Sequence, residues 1–318
     1  MPLTKKTKTL RSFLFELGID GTLRGLICEI AEASKYIKYA IDTSSLGEAG
    51  TTNVYGENQL ALDVLADELM GTRMSTCGLV VNMASEEQQN IFSAYLSKPG
   101  KYSVCFDPLD GSSLVDVNLA VGTIVSIYPG EELVRPGSEQ IAALFVLYGP
   151  RTTMVVGLPG GGVHEFTLNQ VGSYTLSRKN VRMKESGKIY SPGGNTRKWS
   201  VKHTAFIDTL LDKGYKLRYS GGMVPDVNQI LMKGGGLFTY PALDGAPNGK
   251  LRLMFEANPM AFIIEAAGGA ASNGEKRILD IEPESIQDRC PIYIGSKTEV
   301  ALAEKMLKES KPRPTSKK

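Results

Sequence analysis

The segment Asp107-Pro108-Leu109-Asp110-Gly111-Ser112-Ser113 holds the densest set of chemically able residues in the sequence. It follows the apolar run Val104-Cys105-Phe106, so two carboxylates three residues apart fall at a strand end, across a proline-containing turn. Pro108 fixes its own φ and pushes Asp107 towards extended geometry. Gly111 lets the backbone approach a ligand closely, and the amides of Gly111 to Ser113 can cradle a phosphate if a helix begins there. Turns and helix caps use the same residue types, so the reading needs further acids. Ser85-Glu86-Glu87 lies upstream, after an apolar run ending in Val81. Asp63 stands alone inside Leu60-Ala61-Leu62-Asp63-Val64-Leu65-Ala66, where an ionised carboxylate is costly unless a cation or hydrogen bonds hold it. Glu57 precedes that helix and also suits its positive N-terminal dipole. Glu256 closes a strand-like run, Lys250-Leu251-Arg252-Leu253-Met254-Phe255. A hard cation such as Mg²⁺ takes an octahedron of oxygen ligands, which clustered carboxylates supply. The nucleophile such a cluster favours is a metal-activated water. His164 and His203 are isolated, and no Ser-His-acid or Cys-His arrangement occurs. The glycines at 221–222 and 234–236 do not precede Lys-Ser/Thr at phosphate-loop spacing.

The elements that must carry these residues follow from hydrophobic period. Residues 23–41 and 57–70 have apolar positions at helical spacing, separated by a polar loop over 47–56. The runs at 77–82, 102–106, 121–128, 141–148 and 152–156 read as strands, with turns at 148–151 and 160–162. Residues 1–11 read as a loose arm. Lys, Ser, Gly and Pro cluster over 182–197, which predicts two domains, 1–184 with most of the metal ligands and 185–318. Beyond lie helices near 204–213 and 224–232, a strand near 236–240 and a helix after Pro259. Mixed strands and helices indicate layered α/β architecture, without fixing its topology.

Composition narrows the function. The 318 residues are 42% hydrophobic and 22% charged, which suits a globular chain with a sizeable core. With 36 basic against 34 acidic residues, the net charge of +2 argues against nucleic acid as a partner. No uncharged apolar stretch reaches the roughly 18 residues of a membrane span, and no secretory signal follows the N-terminal lysines. Cys28, Cys77, Cys105 and Cys290 are far apart, which points to a reducing, cytoplasmic setting without a disulfide framework. The end Ser316-Lys317-Lys318 is close to a peroxisomal tripeptide, with lysine where leucine belongs.

Phe106 to Ser113 (F-D-P-L-D-G-S-S) followed by Gly122-Thr123-Ile124 resembles the sugar bisphosphatase family that contains fructose-1,6-bisphosphatase and sedoheptulose-1,7-bisphosphatase. Ser85-Glu86-Glu87, Gly56-Glu57…Leu62-Asp63-Val64-Leu65 and Leu251-Arg252-Leu253…Glu256…Pro259-Met260 with Glu265-x-x-Gly268-Gly269 match too, in order, over about residues 12–305. Several stretches look more like the sedoheptulose branch: Tyr148 to Thr153, His164-Glu165-Phe166, Ser191-Pro192-Gly193 with Asn195, and Leu217 through Gln229. Leu114 stands where the fructose branch usually has Asn, whereas Phe238-Thr239-Tyr240-Pro241 keeps its tyrosine. An inositol-monophosphatase-like enzyme would share the D-P-L-D-G core but carry W-D-x-A, and Trp199 is followed by Ser200.

The resemblance implies an α-β-α-β-α sandwich of the sugar phosphatase type. Its implied activity is Mg²⁺-dependent removal of the 1-phosphate of sedoheptulose 1,7-bisphosphate, with fructose 1,6-bisphosphate or dual specificity as the alternative. It implies metal ligands at Glu57, Glu86, Asp107, Asp110, Glu256 and the Leu109 carbonyl, for two or three Mg²⁺ or Mn²⁺ ions. Asp63 and Glu87, with Glu86, would help activate water. Gly111, Ser112 and Ser113 would hold the departing phosphate. Asn195, Arg218, Tyr219, Met223, Tyr240, Lys250 and Arg252 would bind the sugar and its far phosphate. In the family's fructose branch the residue matching Arg218 serves a neighbouring subunit, which implies a homodimer or homotetramer. A thioredoxin-type disulfide switch is not expected, since only Cys28 lies in the relevant region. Gly21-Thr22, Lys101 and Tyr102 fall near the family's AMP-binding positions, but the loop before Leu23 departs from that pattern.

Overall fold

Apolar residues recurring every three or four positions fold the N-terminal part into helices α1 (Leu10–Glu16), α2 (Gly21–Thr43) and α3 (Ala61–Thr76). The computed structural model describes residues 8–43, 48–52, 58–96, 98 and 100–308, and within 48–52 and 58–60 the backbone alone. Strands β1 (Glu48–Thr52) and β2 (Asn58–Leu60) pair antiparallel, so part of the expected polar loop is strand, and the helix starts at Ala61 rather than 57. The loose arm is also corrected at residues 8–11. Leu10, Phe13 and Leu14 form a buried i, i+3, i+4 set, Thr9 caps α1, and Leu176 donates its N–H to the Lys8 carbonyl at 2.8 Å. The neighbouring lysines masked that short apolar stripe.

Eight strands follow: β3 (Val80–Ser85), β4 (Phe92–Ser93), β5 (Tyr102–Asp110), β6 (Val121–Pro129), β7 (Ala142–Tyr148), β8 (Thr152–Leu158), β9 (Gly162–Leu168) and β10 (Tyr174–Arg178). They form one sheet in the order β10-β9-β8-β7-β6-β5-β3-β4, antiparallel except for the β3–β5 pair. All nine residues of β5 are buried, which requires cover on both faces. Alternating side chains show what provides it. Leu144 and Val146 face α1, α2 and α3, while Ala143 and Phe145 face the opposite core.

That opposite core is made by α5 (Met223–Lys233) and α6 (Asn258–Ala266). Beyond them lies a second sheet, β12-β11-β13-β15-β14, built from β11 (Ile189–Pro192), β12 (Lys216–Leu217), β13 (Leu237–Tyr240), β14 (Ala270–Ser272) and β15 (Ile292–Gly295). Helices α4 (Val201–Asp212) and α7 (Lys297–Lys308) cover its outer face through Phe206, Leu210, Val300 and Ala303. The architecture is the five-layer α-β-α-β-α sandwich expected. Among the described residues no helix is long and apolar enough to cross a membrane.

Two local corrections bear on the site. The strand-like run before Glu256 is not a strand: Leu253–Ala257 forms a π-helical turn that runs directly into α6. The Ala257 N–H reaches the Arg252 carbonyl at 2.9 Å, and the Glu256 side chain accepts the Arg252 N–H. An unbroken apolar run has no period to separate strand from buried helix. The second correction is that β5 continues through Pro108 to Asp110, with a bulge. Asp107 pairs with Ile124 and Asp110 with Gly122, so three steps on β5 match two on β6.

Gly122 is where the eight-stranded sheet meets α5. A Cβ there would lie 2.5 Å from three side-chain carbons of Val224. Gly122→Ala is therefore expected to cost about 1–3 kcal/mol, the range for overpacking between rigid elements. A urea-denaturation midpoint unchanged from wild type would contradict this contact.

Candidate active site

The bulge explains how two aspartates three residues apart work together. In a regular strand, positions i and i+3 point to opposite faces; the extra residue turns Asp110 back to the side of Asp107. The π turn delivers Glu256 to the same point. One carboxylate oxygen from each of Asp107, Asp110 and Glu256 lies within 4.8 Å of the others, and all three residues are buried.

Several hydrogen bonds hold this trio. Asp107 Oδ1 accepts the Leu109 N–H at 3.0 Å, which satisfies a backbone group freed by the bulge. Asp110 Oδ2 accepts the Val224 N–H at 2.7 Å, so it caps α5, whose own N-cap is the side-chain-free Gly222. Glu256 accepts the Arg252 N–H. Arg252 is itself buried, with Nε 3.6 Å from Glu86 Oε1.

The electrostatics are those of a cluster needing positive charge. Burial pushes the Asp107 carboxyl well above the usual carboxylate range, and the charges of Glu86, Asp110, Glu256 and Glu87 push it further. Burial raises Asp110 to about 7, against the pull of the Val224 N–H, with Glu86 and Asp226 adding to the rise. Glu256 is raised by burial and then by Glu86 and Asp110. Three buried carboxyls at this spacing are either partly protonated or joined by a cation. Oxygen donors alone make it a hard cation.

Around the trio, the other sequence-predicted residues take up varied positions. Glu86 and Glu87 follow β3, and the Glu86 N–H donates to the Phe106 carbonyl at 3.0 Å. They stand outside the tight trio, but their charges reach Asp107. Asp63 is buried on the first turn of α3, which packs on β5. Glu57 lies outside the described residues. Gly111 adopts φ +76° and starts a 3-10 turn, Ser112–Val117, so the short helical start that the phosphate-cradle reading required takes 3-10 form.

Tyr219 is half exposed, and its phenol is raised by burial and by Tyr240, Asp226 and Asp110. The Tyr240 phenol is raised by burial and by Glu256. The charge of the acid cluster thus reaches both phenols. Arg218 and Lys250 are exposed, and Arg218 Nη1 donates to the Leu217 carbonyl at 2.8 Å. Met223 is buried in the core between the sheets, so what it turns towards Asp110 is its backbone N–H. Asn195 Oδ1 accepts the Arg197 N–H at 3.0 Å and caps the turn Thr196–Lys198. The two histidines are packing residues: His164 against Phe13, and His203 against Trp199 and Tyr293.

Near the N-terminus, Asp20 caps α2 by accepting the Thr22 and Leu23 N–H groups at 2.9 and 3.2 Å. Tyr102 donates its hydroxyl to the same oxygen at 3.2 Å, and Lys101 donates to the Thr22 hydroxyl at 3.5 Å. These groups are tied to one another.

Sequence reading missed Asp226. It is buried on α5 and both its oxygens accept the Ser220 N–H, at 2.9 and 3.1 Å, which fixes the 218–222 loop. The cue that singled out Asp63, a lone acid among apolar neighbours, was present at Val224-Pro225-Asp226-Val227 as well.

A five-layer α/β sandwich with a buried carboxylate trio, a helix N-terminus and a guanidinium at one point defines a hydrolase of the phosphatase class. The family profile described as "Fructose-1-6-bisphosphatase, N-terminal domain" matches residues 11–179, and "Fructose-1-6-bisphosphatase, C-terminal domain" matches 183–308. The chain belongs to the fructose-1,6-bisphosphatase family and is a sugar bisphosphate phosphatase. Among its relatives, the fructose-1,6-bisphosphatase class 1 of Geobacter sulfurreducens is 57% identical over 308 residues, covering 95% of this chain and 98% of that one. That of Citrifermentans bemidjiense is 59% identical over 294 residues, covering 92% and 90%. Among solved structures, Leishmania major fructose-1,6-bisphosphatase in holo form aligns with a TM-score of 0.91 at 31% identity, covering 96% of this chain and 100% of that one. A Toxoplasma gondii protein designated a sedoheptulose-1,7 bisphosphatase aligns with a TM-score of 0.86 at 35% identity, covering 94% and 98%.

Proposed function

We propose that this chain hydrolyses the 1-phosphate of fructose 1,6-bisphosphate, with Mg²⁺ held by the Asp107–Asp110–Glu256 trio. The observation that carries the chemistry is the trio itself: three buried carboxyl groups, all oxygen donors, raised first by burial and then by neighbouring acidic charges. That donor set fits Mg²⁺ or Mn²⁺. Glu86, Glu57 and the Leu109 carbonyl would complete the coordination. The sugar assignment is supported by the class 1 names of the relatives at 57% and 59% identity, and it replaces the sedoheptulose preference inferred from short sequence stretches.

Bound Mg²⁺ supplies positive charge to the phosphoryl oxygens and makes water a better nucleophile. In this reading the Asp63 and Glu87 carboxylates take up the proton that the water loses. The N–H groups of Gly111 to Ser113, at the positive-φ turn, donate hydrogen bonds to the oxygens of the phosphoryl group that passes to water. Arg252 balances the acids from within, where it pairs with Glu86. Arg218 and Lys250, both exposed, hold the far phosphate, and Tyr219 and Tyr240 flank the sugar. Asn195 and Met223 contribute through the backbone they fix. Exposure of Arg218 supports a homodimer or homotetramer in which it reaches the far phosphate in a neighbour's site. A division at residue 184 into two packed domains and a cytoplasmic location complete the reading.

A second activity, on sedoheptulose 1,7-bisphosphate, is favoured by the S-P-G-G-N segment at 191–195 and the 35% identity to the Toxoplasma gondii protein. Mg²⁺-dependent phosphate release measured as kcat/KM on both sugars separates the readings. A six-carbon preference, or equal values, is expected. A preference for the seven-carbon sugar above about tenfold, near 1.4 kcal/mol of barrier, would overturn the fructose assignment. Release from neither sugar would overturn the whole reading.

A further inference from the structure

We propose that Asp67 is the positioning residue for the Ser85-Glu86-Glu87 turn. The proposal rests on the reading above, in which Glu86 and Glu87 serve the metal and the water.

Asp67 lies on α3, buried, four residues after Asp63 and therefore on the same helix face. Its Oδ1 accepts the Ser85 hydroxyl, and its Oδ2 accepts Gln88 Nε2 at 2.6 Å. Ser85 is fully buried at the end of β3. Since its hydroxyl hydrogen points to Asp67, its lone pair is turned to the Glu87 N–H, which it accepts at 3.3 Å. The turn is closed by Gln88 N–H to the Ser85 carbonyl at 3.1 Å. On its far side Gln287 Nε2 donates to the Gln89 carbonyl at 3.2 Å.

A carboxylate withdrawn from water needs donors to offset the cost, and here both donors come from the turn that carries the two acids. One face of α3 thus fixes Asp63 directly and Glu87 through two hydrogen bonds. Asp67 also lines a cavity of about 460 Å³ with Gly71, Thr72 and Phe92, and its two hydrogen bonds run to Ser85 and Gln88. A change of hydrogen-bonding pattern without loss of volume is the informative perturbation.

Asp67→Asn keeps the shape but sets an amide N–H₂ against a donor. We expect kcat to fall roughly 10- to 100-fold, the scale for slight misplacement of a catalytic group. The Mg²⁺ concentration for half-activation rises, KM for the sugar bisphosphate stays within about twofold, and the melting temperature hardly moves. Adding Gln88→Glu, which turns that donor into an acceptor, recovers most of the lost kcat. Purely structural damage would not be rescued in this way, nor would it divide kcat from KM. If kcat and the Mg²⁺ midpoint of Asp67→Asn stay within about twofold of wild type, the proposal is overturned. If Asp67→Asn does not fold, Ser85→Ala breaks the same relay and must show the same kcat and Mg²⁺ changes, or the proposal fails. A wild-type protein that releases no phosphate from either sugar fails the functional reading instead. Calorimetric Mg²⁺ binding then tests the positioning alone, and equal affinities in wild type and Asp67→Asn overturn it.

Discussion

Asp110→Asn is expected to give a folded protein whose phosphate release is lower by about 1,000-fold, roughly 4 kcal/mol of barrier. The substitution leaves an amide oxygen able to accept the Val224 N–H, so the 2.7 Å cap on α5 and the link between the layers survive. What it removes is one negative charge from the trio, and with it a ligand for the cation. The variant's melting temperature in chelator should equal or exceed that of wild type at pH 8, because a buried carboxyl that resists ionisation has been replaced by a neutral group. The check is steady-state phosphate release beside thermal unfolding. Residual turnover within about tenfold of wild type would remove Asp110 from the reaction, and a collapsed melting temperature would make the residue structural.

Withdrawal of divalent metal is the second large effect. EDTA is expected to abolish phosphate release, with Mg²⁺ restoring it, and its effect on stability should depend on pH. In the metal-free protein the Asp110 carboxyl is raised to about 7 from its ordinary 3.8, and Asp107 and Glu256 are raised as well. A raised carboxyl binds its proton more tightly in the folded state. Its contribution is fully present below about 3.8 and is lost as pH climbs through about 7. The metal-free protein should therefore lose stability between about pH 4 and 7, the cluster becoming charged without compensation. Mg²⁺ at about 100 times its dissociation constant would return about 2.7 kcal/mol, and its stabilising effect should be larger at pH 8 than at pH 5 because protons compete for the same oxygens. A Mg²⁺-induced rise in melting temperature that is the same at both pH values would exclude the trio as the binding site.

Much of this site was legible from residue types. The aspartates at 107 and 110, the buried Asp63 and the distant Glu256 all stood out because acids beside apolar runs demand a reason. The geometry that unites them was not legible. Across the proline-containing turn the two aspartates can face a common point, but only the pairing of β5 with β6 reveals that a bulge within the strand is what turns them together. Glu256 was picked out for its chemistry while its setting was misread, since Leu253-Met254-Phe255 is apolar throughout and a π turn leaves no periodic mark. Asp226 was overlooked although it sits among apolar residues as Asp63 does, and Asp67 is disguised by the adjacent Glu68; their partners, Ser85 and Ser220, are distant or depend on loop geometry. The strands β9 and β10 went unread because His164, Glu165, Ser177 and Arg178 interrupt their apolar pattern. Burial of His164 follows from α1 packing over that edge, and Glu165, on the other face, is held by Ser177 and Arg178; both are tertiary facts. The five layers came from resemblance, as local periodicity carries no information on which helices lie between two sheets.

The contact between Gly122 and Val224 sets a rule for exchange between lineages. Asp107 and Asp110 come from the sheet on one side of that contact, and the backbone amide that orients Asp110 comes from the helix on the other. The halves of such a chain are thus not independent cassettes. A recombinant joining one relative's first half to another's second half inherits a working centre only if the absence of a side chain at 122 meets a residue no bulkier than valine at 224. Selection on either position is therefore selection on the pair, and drift in one half is constrained by a partner encoded a hundred codons away.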